Sequence, residues 1–379
     1  MITDKKISFM FDGKKFSGFE GDTLASALIR NGVFLVGRSF KYHRPRGIIS
    51  AGSEEPNAIV QLESGNITEP NVRATEIEIY EGLSATSQNN WPTLNFDFGS
   101  INDLISRFIP AGFYYKTFIW PPKFWEIYEF FIRRAAGLGK SPSTDDPDKY
   151  EHFHYHCDLL IIGGGISGLY AAKLAIKSNL KILLVEQNSK LGGEELCNSN
   201  SKTELSFAKE LETLNGKSNL KIIKNTTVFA YMHSNYLLAS QKINKKNLRQ
   251  IIWKIRAKKV VLATGSIERF LTFHNNDRPG TMLANSARKY LNHYSNKIFK
   301  EVVIFTNNDS AYKTAIDFHR NNINIKGIVD VRSESNGDLV KEAKNIGIKI
   351  FFKHAIINTE GRKRINKIFI SDDGFFTFS

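Results

Sequence analysis

The feature that most constrains the fold is a glycine-rich turn between two apolar segments. Residues 159–162 (LLII) are a continuous apolar run, as a strand buried in a parallel sheet requires. They lead directly into residues 163–168 (GGGISG), and an apolar helical segment follows. The next apolar run, residues 182–185, ends in an acid, Glu186. This order of strand, glycine turn, helix, strand and acid predicts a Rossmann-like unit that binds a dinucleotide.

Each glycine of this fingerprint has its own predicted role. Gly163 permits the tight turn from strand to helix, Gly165 leaves room for a pyrophosphate, and Gly168 lets the helix pack closely on the strand. The pyrophosphate would lie at the N-terminus of the helix, where N–H groups without helical partners attract an anion. Glu186 would accept hydrogen bonds from ribose hydroxyls and would repel a 2′-phosphate, which favours NAD or FAD over NADP. The choice between NAD and FAD stays open.

Two later segments support the same assignment. Gly192 and Gly193 follow the second strand and resemble the turn after the ribose-binding acid in two-dinucleotide flavoproteins. Residues 260–263 (VVLA) are an apolar strand that leads into Thr264 and Gly265. This pattern resembles the returning strand of such domains, whose backbone passes the cofactor.

A second nucleotide-binding-like module is predicted over residues 301–379. Residues 302–306 and 325–330 are predicted strands, and residues 311–320 are a predicted helix between them. Residues 307–311 (NNDSA) stand where the glycines would be, and without glycines the backbone cannot easily approach a pyrophosphate. We interpret this segment as a nested, incomplete Rossmann-like module that has lost its own dinucleotide.

Residues 1–85 predict a small ferredoxin-like β-grasp domain. A hairpin at Asp12-Gly13 is followed by a helix that begins after Asp22-Thr23, and strands are predicted at residues 58–62 and 75–80. A plant-type [2Fe–2S] cluster needs four cysteine thiolates, three of them in the long loop of this fold. The chain has 2 cysteines, Cys157 and Cys197, and both lie outside this segment. We therefore predict no iron–sulfur cluster.

The loop that would surround a cluster is basic instead. Its charged residues are Arg38, Lys41, His43, Arg44 and Arg46. Two interpretations stand side by side, a solvated turn and a surface that docks an acidic partner or a phosphate.

Residues 86–155 predict an aromatic connector, and residues 156–300 predict the Rossmann-like domain. Aromatic residues beside prolines in the connector favour packing onto neighbouring domains or subunits over base stacking. His152, His154 and His156 stand at i, i+2 spacing at the end of the connector. On one face of a strand they could bind zinc, but a solvated strand is the favoured interpretation, and we predict no metal site.

Composition and charge exclude further classes of protein. The formal net charge is +14, but no block of five Lys or Arg residues occurs, so we predict a lysine-rich surface and no nucleic-acid partner. The sequence has neither an apolar run of about 18 residues nor the apolar core of a signal peptide, which predicts a cytoplasmic protein without a membrane partner. A free-standing oxidoreductase would need a reactive group such as Cys197 or His233, and a cysteine without a CxxC partner is more often structural.

Several long and unusual stretches closely resemble the N-terminal region of the alpha subunits of heterotetrameric sarcosine oxidases. The stretches are residues 37–47 (GRSFKYHRPRG), 51–57 (AGSEEPN), 87–89 with 91–92 (SQN, WP), 110–118 (PAGFYYKTF) and 133–139 (RRAAGLG). The resemblance covers nearly the whole chain.

The resemblance implies an oxidoreductase subunit whose nucleotide-binding domain holds NAD. FAD is the alternative, because related amine and opine dehydrogenase subunits hold FAD there. The implied partners are beta, gamma and delta subunits, with the amine-oxidising flavin in beta, FMN between alpha and beta, and tetrahydrofolate on a later domain of alpha. The implied reaction demethylates sarcosine to glycine with O₂ and gives H₂O₂ and formaldehyde or methylenetetrahydrofolate. An FAD-binding subunit of an amine, opine or proline dehydrogenase complex is the second possibility.

The residues assigned to cofactor binding come from the fingerprint and from the family resemblance. They are Gly163, Gly165, Ile166, Ser167, Gly168, Glu186, Gln187, Asn188, Gly193, Glu194, Val228, Thr264 and Gly265. Glu194 departs from the family, where small or neutral residues are more usual. No catalytic residue is assigned to this chain. Because it stops at Ser379 without a folate domain, we expect a truncated subunit or split gene product that is inactive alone.

Overall fold

The computed structural model describes residues 5–109, 112, 120–198, 202–216, 219–245, 248–297 and 299–371. The chain divides into two compact units. Unit 1 comprises Met1–Thr144 and Glu268–Ser379, and unit 2 comprises Asp145–Ile267. The described ranges contain no helix that combines the length and the apolar character needed to cross a membrane.

The N-terminal part of unit 1 is a mixed sheet covered by a helix. Its strands are β1 (Lys6–Phe11), β2 (Lys14–Phe19), β3 (Gly37–Arg38), β4 (Pro45–Arg46), β5 (Ile59–Leu62), β6 (Glu69–Arg73) and β7 (Ser84–Ser87). Its α-helices are α1 (Leu24–Arg30), α2 (Ile101–Leu104) and α3 (Trp125–Ala135). The sheet order is β2-β1-β7-β5-β6, and β3 and β4 form a separate ribbon.

Helix α1 begins where the sequence predicts. The hydroxyl of Thr23 accepts a hydrogen bond from the Ser26 amide at 3.2 Å, and Asn31 follows the last turn. Leu24 and Leu28 are buried in the core between the helix and the sheet. The predicted helix is confirmed.

The strand predicted at residues 75–80 does not form. The backbone there forms hydrogen bonds with the start of α1 instead. Leu24 donates its N–H to the Ile77 carbonyl at 2.7 Å, and Ile79 donates to the Asp22 carbonyl at 2.9 Å. An isolated bridge joins Thr23 to Glu78, and the sheet takes β7 as its next strand.

Unit 2 is a six-stranded sheet with a parallel half and an antiparallel half. Its strands are β8 (Lys149–Ile162), β9 (Ile182–Val185), β10 (Leu220–Ile223), β11 (Thr226–Met232), β12 (Tyr236–Lys245) and β13 (Leu248–Leu262). Helices α4 (Ile166–Ala175) and α5 (Lys202–Thr213) belong to it. The order is β10-β9-β8-β13-β12-β11, with β10-β9-β8-β13 parallel and β13-β12-β11 antiparallel.

Packing in unit 2 places the glycine turn at the carboxyl ends of the parallel strands. Leu169 and Ala172 of α4 are fully buried against Ile161 of β8 and Leu184 of β9. The register pairs Leu159 with Ile182, so β8 and β9 end side by side. Ligands of open parallel sheets bind at this edge. Strand β8 begins at Lys149, so the domain boundary predicted at residue 156 falls inside it.

The C-terminal part of unit 1 is a small α/β layer. Its elements are α6 (Ala284–Asn292), β14 (Glu301–Thr306), α7 (Ser310–Arg320), β15 (Asn324–Asp330), α8 (Asp338–Asn345), β16 (Ile350–Phe352), β17 (Ala355–Glu360) and β18 (Lys367–Ser371). β14, β15 and β16 form a parallel sheet, and β17 and β18 form a hairpin. The strands and the helix predicted for the second module lie within β14, α7 and β15.

Helix α6 completes the core of the N-terminal sheet. Tyr290 of α6 is fully buried among the residues of that core, and its hydroxyl donates to the Ser50 carbonyl at 2.8 Å. Just after α6, the side-chain amide of Asn296 donates to the Ser26 carbonyl at 2.9 Å. The two sequence-distant parts of unit 1 therefore share one hydrophobic core.

Candidate dinucleotide-binding site

Two glycines of the turn are required because backbone approaches them closely. Gly163 has φ +105°, and a Cβ built there would overlap the carbonyl oxygen of Ala263. A Cβ at Gly168 would overlap the carbonyl oxygen of Gly163. A side chain at either position would force the turn away from β13 or α4 away from the turn.

Gly165 differs, because a Cβ there would meet no close neighbour. It is the N-cap residue of α4 with φ −75°, and a Cβ there would have the Cα of Gly193 as its nearest neighbour, at 3.9 Å. The first helical bond of α4 runs from the Leu169 N–H to the Gly165 carbonyl at 2.9 Å. The amides of Ile166, Ser167 and Gly168 therefore precede the helical ladder, where a helix binds anions.

Glu186, at the end of β9, ties this turn to the next loop. Its side chain is buried, and Oε2 accepts a hydrogen bond from the Gly164 amide at 2.6 Å. Oε1 accepts from the backbone N–H of Asn188 at 2.8 Å and from its side-chain amide at 2.7 Å. A carboxylate has about four acceptor positions, so three internal bonds leave capacity for a ribose hydroxyl.

The Gly192-Gly193 turn closes over the same place. Gly192 has φ +122° and donates its N–H to the Gly164 carbonyl at 2.8 Å. Gly193 has φ +56°, and a Cβ there would lie 2.9 Å from the Cα of Gly165. Glu194 is exposed in the 3₁₀ turn Gly193–Cys197 that follows.

The structure brings four of the predicted segments together. Thr264 follows the carbonyl of Ala263 that Gly163 approaches, and both Thr264 and Gly265 are exposed beyond the end of β13. Gln187 is exposed next to Glu186. Val228 lies on β11, where it packs against the core of the sheet. Binding of a cofactor by these residues stays a prediction.

Two glycines of this site are absent from the predicted set. Gly164 supplies the amide that fixes Glu186, and a Cβ on it would lie 2.6 Å from a methyl group of Leu191. Gly192 donates its backbone N–H to the Gly164 carbonyl. The signal for Gly164 is its place beside predicted glycines, and the signal for Gly192 is the Gly-Gly turn after the second strand. The hydrogen bonds of both depend on backbone or side chains that are distant in sequence.

The residues present fit the pyrophosphate and ribose of a dinucleotide. Gly165 provides the space, the first turn of α4 provides N–H donors, and Glu186 provides an acceptor at the neighbouring strand end. Glycine-to-backbone packing at Gly163 and Gly168 fixes the turn between them.

The basic loop forms ion pairs inside unit 1. The Arg38 guanidinium donates to the carbonyls of Leu94 and His43, and the His43 ring lies 2.7 Å from the buried carboxylate of Asp97. Arg44 and Arg46 each lie 3.0 Å from Asp277. An iron–sulfur cluster does not fit residues 1–85, because this segment contains no cysteine.

The reactive-group candidates, Cys197 and His233, belong to unit 2, as does the other cysteine. Cys157 is buried in β8, and desolvation raises the pKa of its thiol to about 11. Cys197 is also buried, and His233 is exposed in the turn between β11 and β12. His152, His154 and His156 are exposed and lie within the first eight residues of β8.

Comparisons with known families agree with this architecture. The family model "2Fe-2S iron-sulfur cluster binding domain" matches residues 4–90, and the model "Pyridine nucleotide-disulphide oxidoreductase" matches residues 157–321. L-proline dehydrogenase from P. horikoshii has a similar fold, with a TM-score of 0.56 at 20% identity over 96% of this chain and 56% of that chain. The class is therefore a ferredoxin-like domain joined to a Rossmann-type nucleotide domain of the oxidoreductase kind.

Sequence relatives within that class are named sarcosine oxidase subunit alpha. Sarcosine oxidase subunit alpha of Rhizobium meliloti (strain 1021) is 44% identical over 97% of this chain and 38% of its own length. The protein of the same name from Corynebacterium sp. (strain U-96) is 31% identical over 94% of this chain and 34% of its own length. The chain is a homologue of sarcosine oxidase alpha subunits and spans little more than a third of their length. The predicted resemblance is confirmed, although most of the matching stretch at residues 110–118 lies outside the described residues.

Proposed function

We propose that this chain is the nucleotide-binding alpha subunit of a sarcosine oxidase-type complex. The main structural support for a nucleotide-binding role is the glycine turn before α4, with Glu186 hydrogen-bonded to it. The complex would demethylate sarcosine to glycine with O₂ and release H₂O₂ and formaldehyde or methylenetetrahydrofolate. Homology to sarcosine oxidase alpha subunits supports this assignment.

The chain's own contribution is a dinucleotide site. The amides at the start of α4 hold the pyrophosphate, and Glu186 accepts from a ribose hydroxyl. A bound dinucleotide would supply either a structural anchor or redox capacity. NAD is the proposed ligand and FAD the alternative, because Glu186 can serve the ribose of either and opposes a 2′-phosphate.

The second module is proposed to hold no dinucleotide. Asp330, at the end of β15, is fully buried and accepts a hydrogen bond from the Tyr312 hydroxyl at 2.8 Å. Arg332 also donates to both of its carboxylate oxygens, from Nε at 3.0 Å and from Nη2 at 2.7 Å. Asn308 accepts from the Ser310 amide at 2.9 Å at the start of α7, where a glycine turn would stand. These internal partners occupy the groups that a ribose and a pyrophosphate would need.

The proposed assembly joins this chain to beta, gamma and delta subunits in the cytoplasm, with no nucleic acid and no membrane. The amine-oxidising flavin belongs to beta, FMN lies between alpha and beta, and tetrahydrofolate belongs to the full complex. This chain carries no catalytic residue, and we expect no turnover of sarcosine or NADH without its partners.

Ligand identification tests the proposal directly. The full chain is purified, its bound nucleotide is released and identified by mass spectrometry, and NAD, FAD and NADP are titrated by calorimetry. We expect NAD or FAD to bind with one site per chain and NADP to bind at least about tenfold more weakly. Absence of any dinucleotide binding, also with partner subunits present, would overturn the proposal.

A glycine variant separates binding from folding. The methyl group of Gly165→Ala fits the protein, whose nearest atom is 3.9 Å away, but it occupies the space of the pyrophosphate. We expect unchanged stability and at least about a tenfold loss of dinucleotide affinity. Gly347→Ala is a control at an open position of unit 1 with φ +83°. It should lower stability through backbone strain yet bind the dinucleotide normally.

The alternative function is an FAD-binding subunit of an amine, opine or proline dehydrogenase complex. Reconstitution with the partner subunits distinguishes the two, because oxidation of sarcosine with O₂ is expected for the first function. Oxidation of proline or an opine without H₂O₂ would favour the second.

A further inference from the structure

A cavity in unit 1 lies beside the basic loop and away from the glycine turn in sequence. Its volume is about 500 Å³, within the range of small-molecule sites. Its lining residues all belong to unit 1, whereas the glycine turn belongs to unit 2. Apolar side chains form much of the wall, among them Ile49, Pro56, Ile59, Leu138 and Phe270.

The charged wall of the cavity has more guanidinium than carboxylate. Asp277 places one oxygen 3.0 Å from Arg46 and the other 3.0 Å from Arg44. One carboxylate therefore serves two arginines. The charged residues that line the cavity are Arg38, Arg46 and Asp277, so two guanidinium groups face one carboxylate.

Arg46 is the cation with spare donors. Its side chain is 26% exposed, and Nη1 contacts Asp277. Within the described residues, Nε and Nη2 of Arg46 have no hydrogen-bond partner. Burial lowers the pKa of Arg46, which is the sign of a charge that its surroundings do not fully stabilise. A guanidinium with two adjacent donors matches the geometry of a carboxylate or phosphate.

We propose that this cavity binds a small organic anion, a carboxylate or a phosphate monoester with an apolar body. The anionic group would pair with Arg46, and the apolar body would lie against Ile59, Leu138 and Phe270. The site is independent of the proposed dinucleotide function, since its residues lie in the other unit.

Calorimetric titration of the full chain with three probes tests the site. Phenyl phosphate and benzoate carry an apolar body with each anionic group, and inorganic phosphate carries none. We expect at least one of the two aromatic anions to bind at one site per chain and at least tenfold more tightly than inorganic phosphate. The tighter of the two identifies the anionic group. Failure of both to bind would overturn the proposal.

Variants assign the binding to Arg46. Arg46→Gln should weaken binding of the preferred probe at least tenfold. Arg320→Gln removes the same charge from a side chain of unit 1 that pairs with Glu342, and it should leave binding unchanged. Gly165→Ala should also leave it unchanged, because the glycine turn is a separate anion site. Equal loss in Arg46→Gln and Arg320→Gln, or loss in Gly165→Ala alone, would contradict the assignment.

A second variant decides the matter if Arg46→Gln does not fold. Leu138 lines the cavity and is 63% exposed, so Leu138→Trp can fill the space without disturbing the buried core. We expect this variant to lose the aromatic probes while its circular dichroism spectrum stays that of the parent chain. Unchanged binding of the aromatic probes would refute the proposed place of the apolar body.

Discussion

The Gly164 amide donates a 2.6 Å hydrogen bond to the carboxylate of Glu186. This bond joins the glycine turn after β8 to the end of β9, and Asn188 holds the other carboxylate oxygen. Glu186, which is proposed to accept a hydrogen bond from a ribose hydroxyl, therefore also connects the glycine turn to the loop after β9. Its two roles can be separated by substitution.

Substitutions at Glu186 should distinguish folding from cofactor choice. Glu186→Ala leaves buried N–H groups without acceptors, and we expect it to lower the free energy of unfolding by about 1–3 kcal/mol. Glu186→Gln keeps one acceptor oxygen and removes the charge, so we expect a smaller loss. Its NAD affinity should fall while its preference for NAD over NADP narrows about tenfold, because the 2′-phosphate is no longer repelled. Urea denaturation and calorimetry measure the two effects, and an unchanged NAD-to-NADP ratio would contradict the ribose role.

The glycine turn predicts a graded response to alanine. Gly163 combines φ +105° with a close carbonyl, whereas Gly216, also in unit 2, has φ +73° and open space around it. Gly216→Ala should cost about 1 kcal/mol from backbone strain alone. Gly163→Ala should cost distinctly more, because the turn must also move away from Ala263. Equal losses of unfolding free energy for the two variants in urea denaturation would show that the close approach of Gly163 to the Ala263 carbonyl does not affect stability.

Glu55 organises the loop that corresponds to the family stretch 51–57. Its carboxylate is fully buried and accepts backbone N–H groups of four residues, which are Ile49, Ser50, Asn57 and Ala58. Glu55→Ala leaves these donors without a partner, so we expect a loss of roughly 3 kcal/mol or more in the free energy of unfolding. Glu54→Ala is the neighbouring control and should cost much less.

The same carboxylate should make stability depend on pH. Burial raises the pKa of Glu55 above its ordinary 4.5, against the opposing effect of its backbone hydrogen bonds. The folded chain therefore binds a proton more tightly than the unfolded chain. The contribution of this group is fully present below the ordinary pKa and is lost as pH rises through the folded pKa. The unfolding free energy of wild type relative to Glu55→Gln should accordingly fall across that window, and a rise would contradict the direction of the shift.

Cys157 should react slowly with thiol reagents. Desolvation raises its pKa from 9.0 to about 11, which lowers the thiolate fraction at pH 8 by about 100-fold. In a Cys197→Ser background, where Cys157 is the only thiol, labelling with a disulfide reagent should be at least that much slower than in the denaturant-unfolded chain. Rapid labelling of the folded chain would show that the thiol is accessible and ionised.

The candidate site was predictable from sequence where the chemistry is local. Gly163 and Gly168 make the close approaches that a tight turn and a closely packed helix require, and a Cβ at Gly165 would have no neighbour nearer than 3.9 Å. These roles follow from a strand-turn-helix pattern within ten residues. The role of Gly164 depends on an acid 22 residues away, and no short pattern reports it.

The fold was less predictable where charge and pairing act over long distances. The basic loop left a solvated turn and a docking surface equally open. Arg44 and Arg46 instead pair with Asp277, more than 230 residues later. The first half of β8 falls within the predicted connector, and its side chains are exposed, yet its backbone pairs with β13 over the whole length of the strand. A sequence pattern indicates a strand through the burial of its side chains. A strand whose side chains are exposed therefore cannot be recognised from such a pattern.

The place of Tyr290 in the N-terminal core has a consequence for synthesis of the chain. The core around β1, α1 and β5 includes this side chain, which is translated about 200 residues after β7, the last strand of that sheet. At roughly 5–20 residues per second, the ribosome delivers it about 10–40 seconds after residue 85. During that interval the first sheet has left the ribosome, but the α6 side chains that pack against its core have not yet been synthesised. A nascent chain of this protein therefore exposes apolar surface that chaperones can bind until the α6 segment arrives.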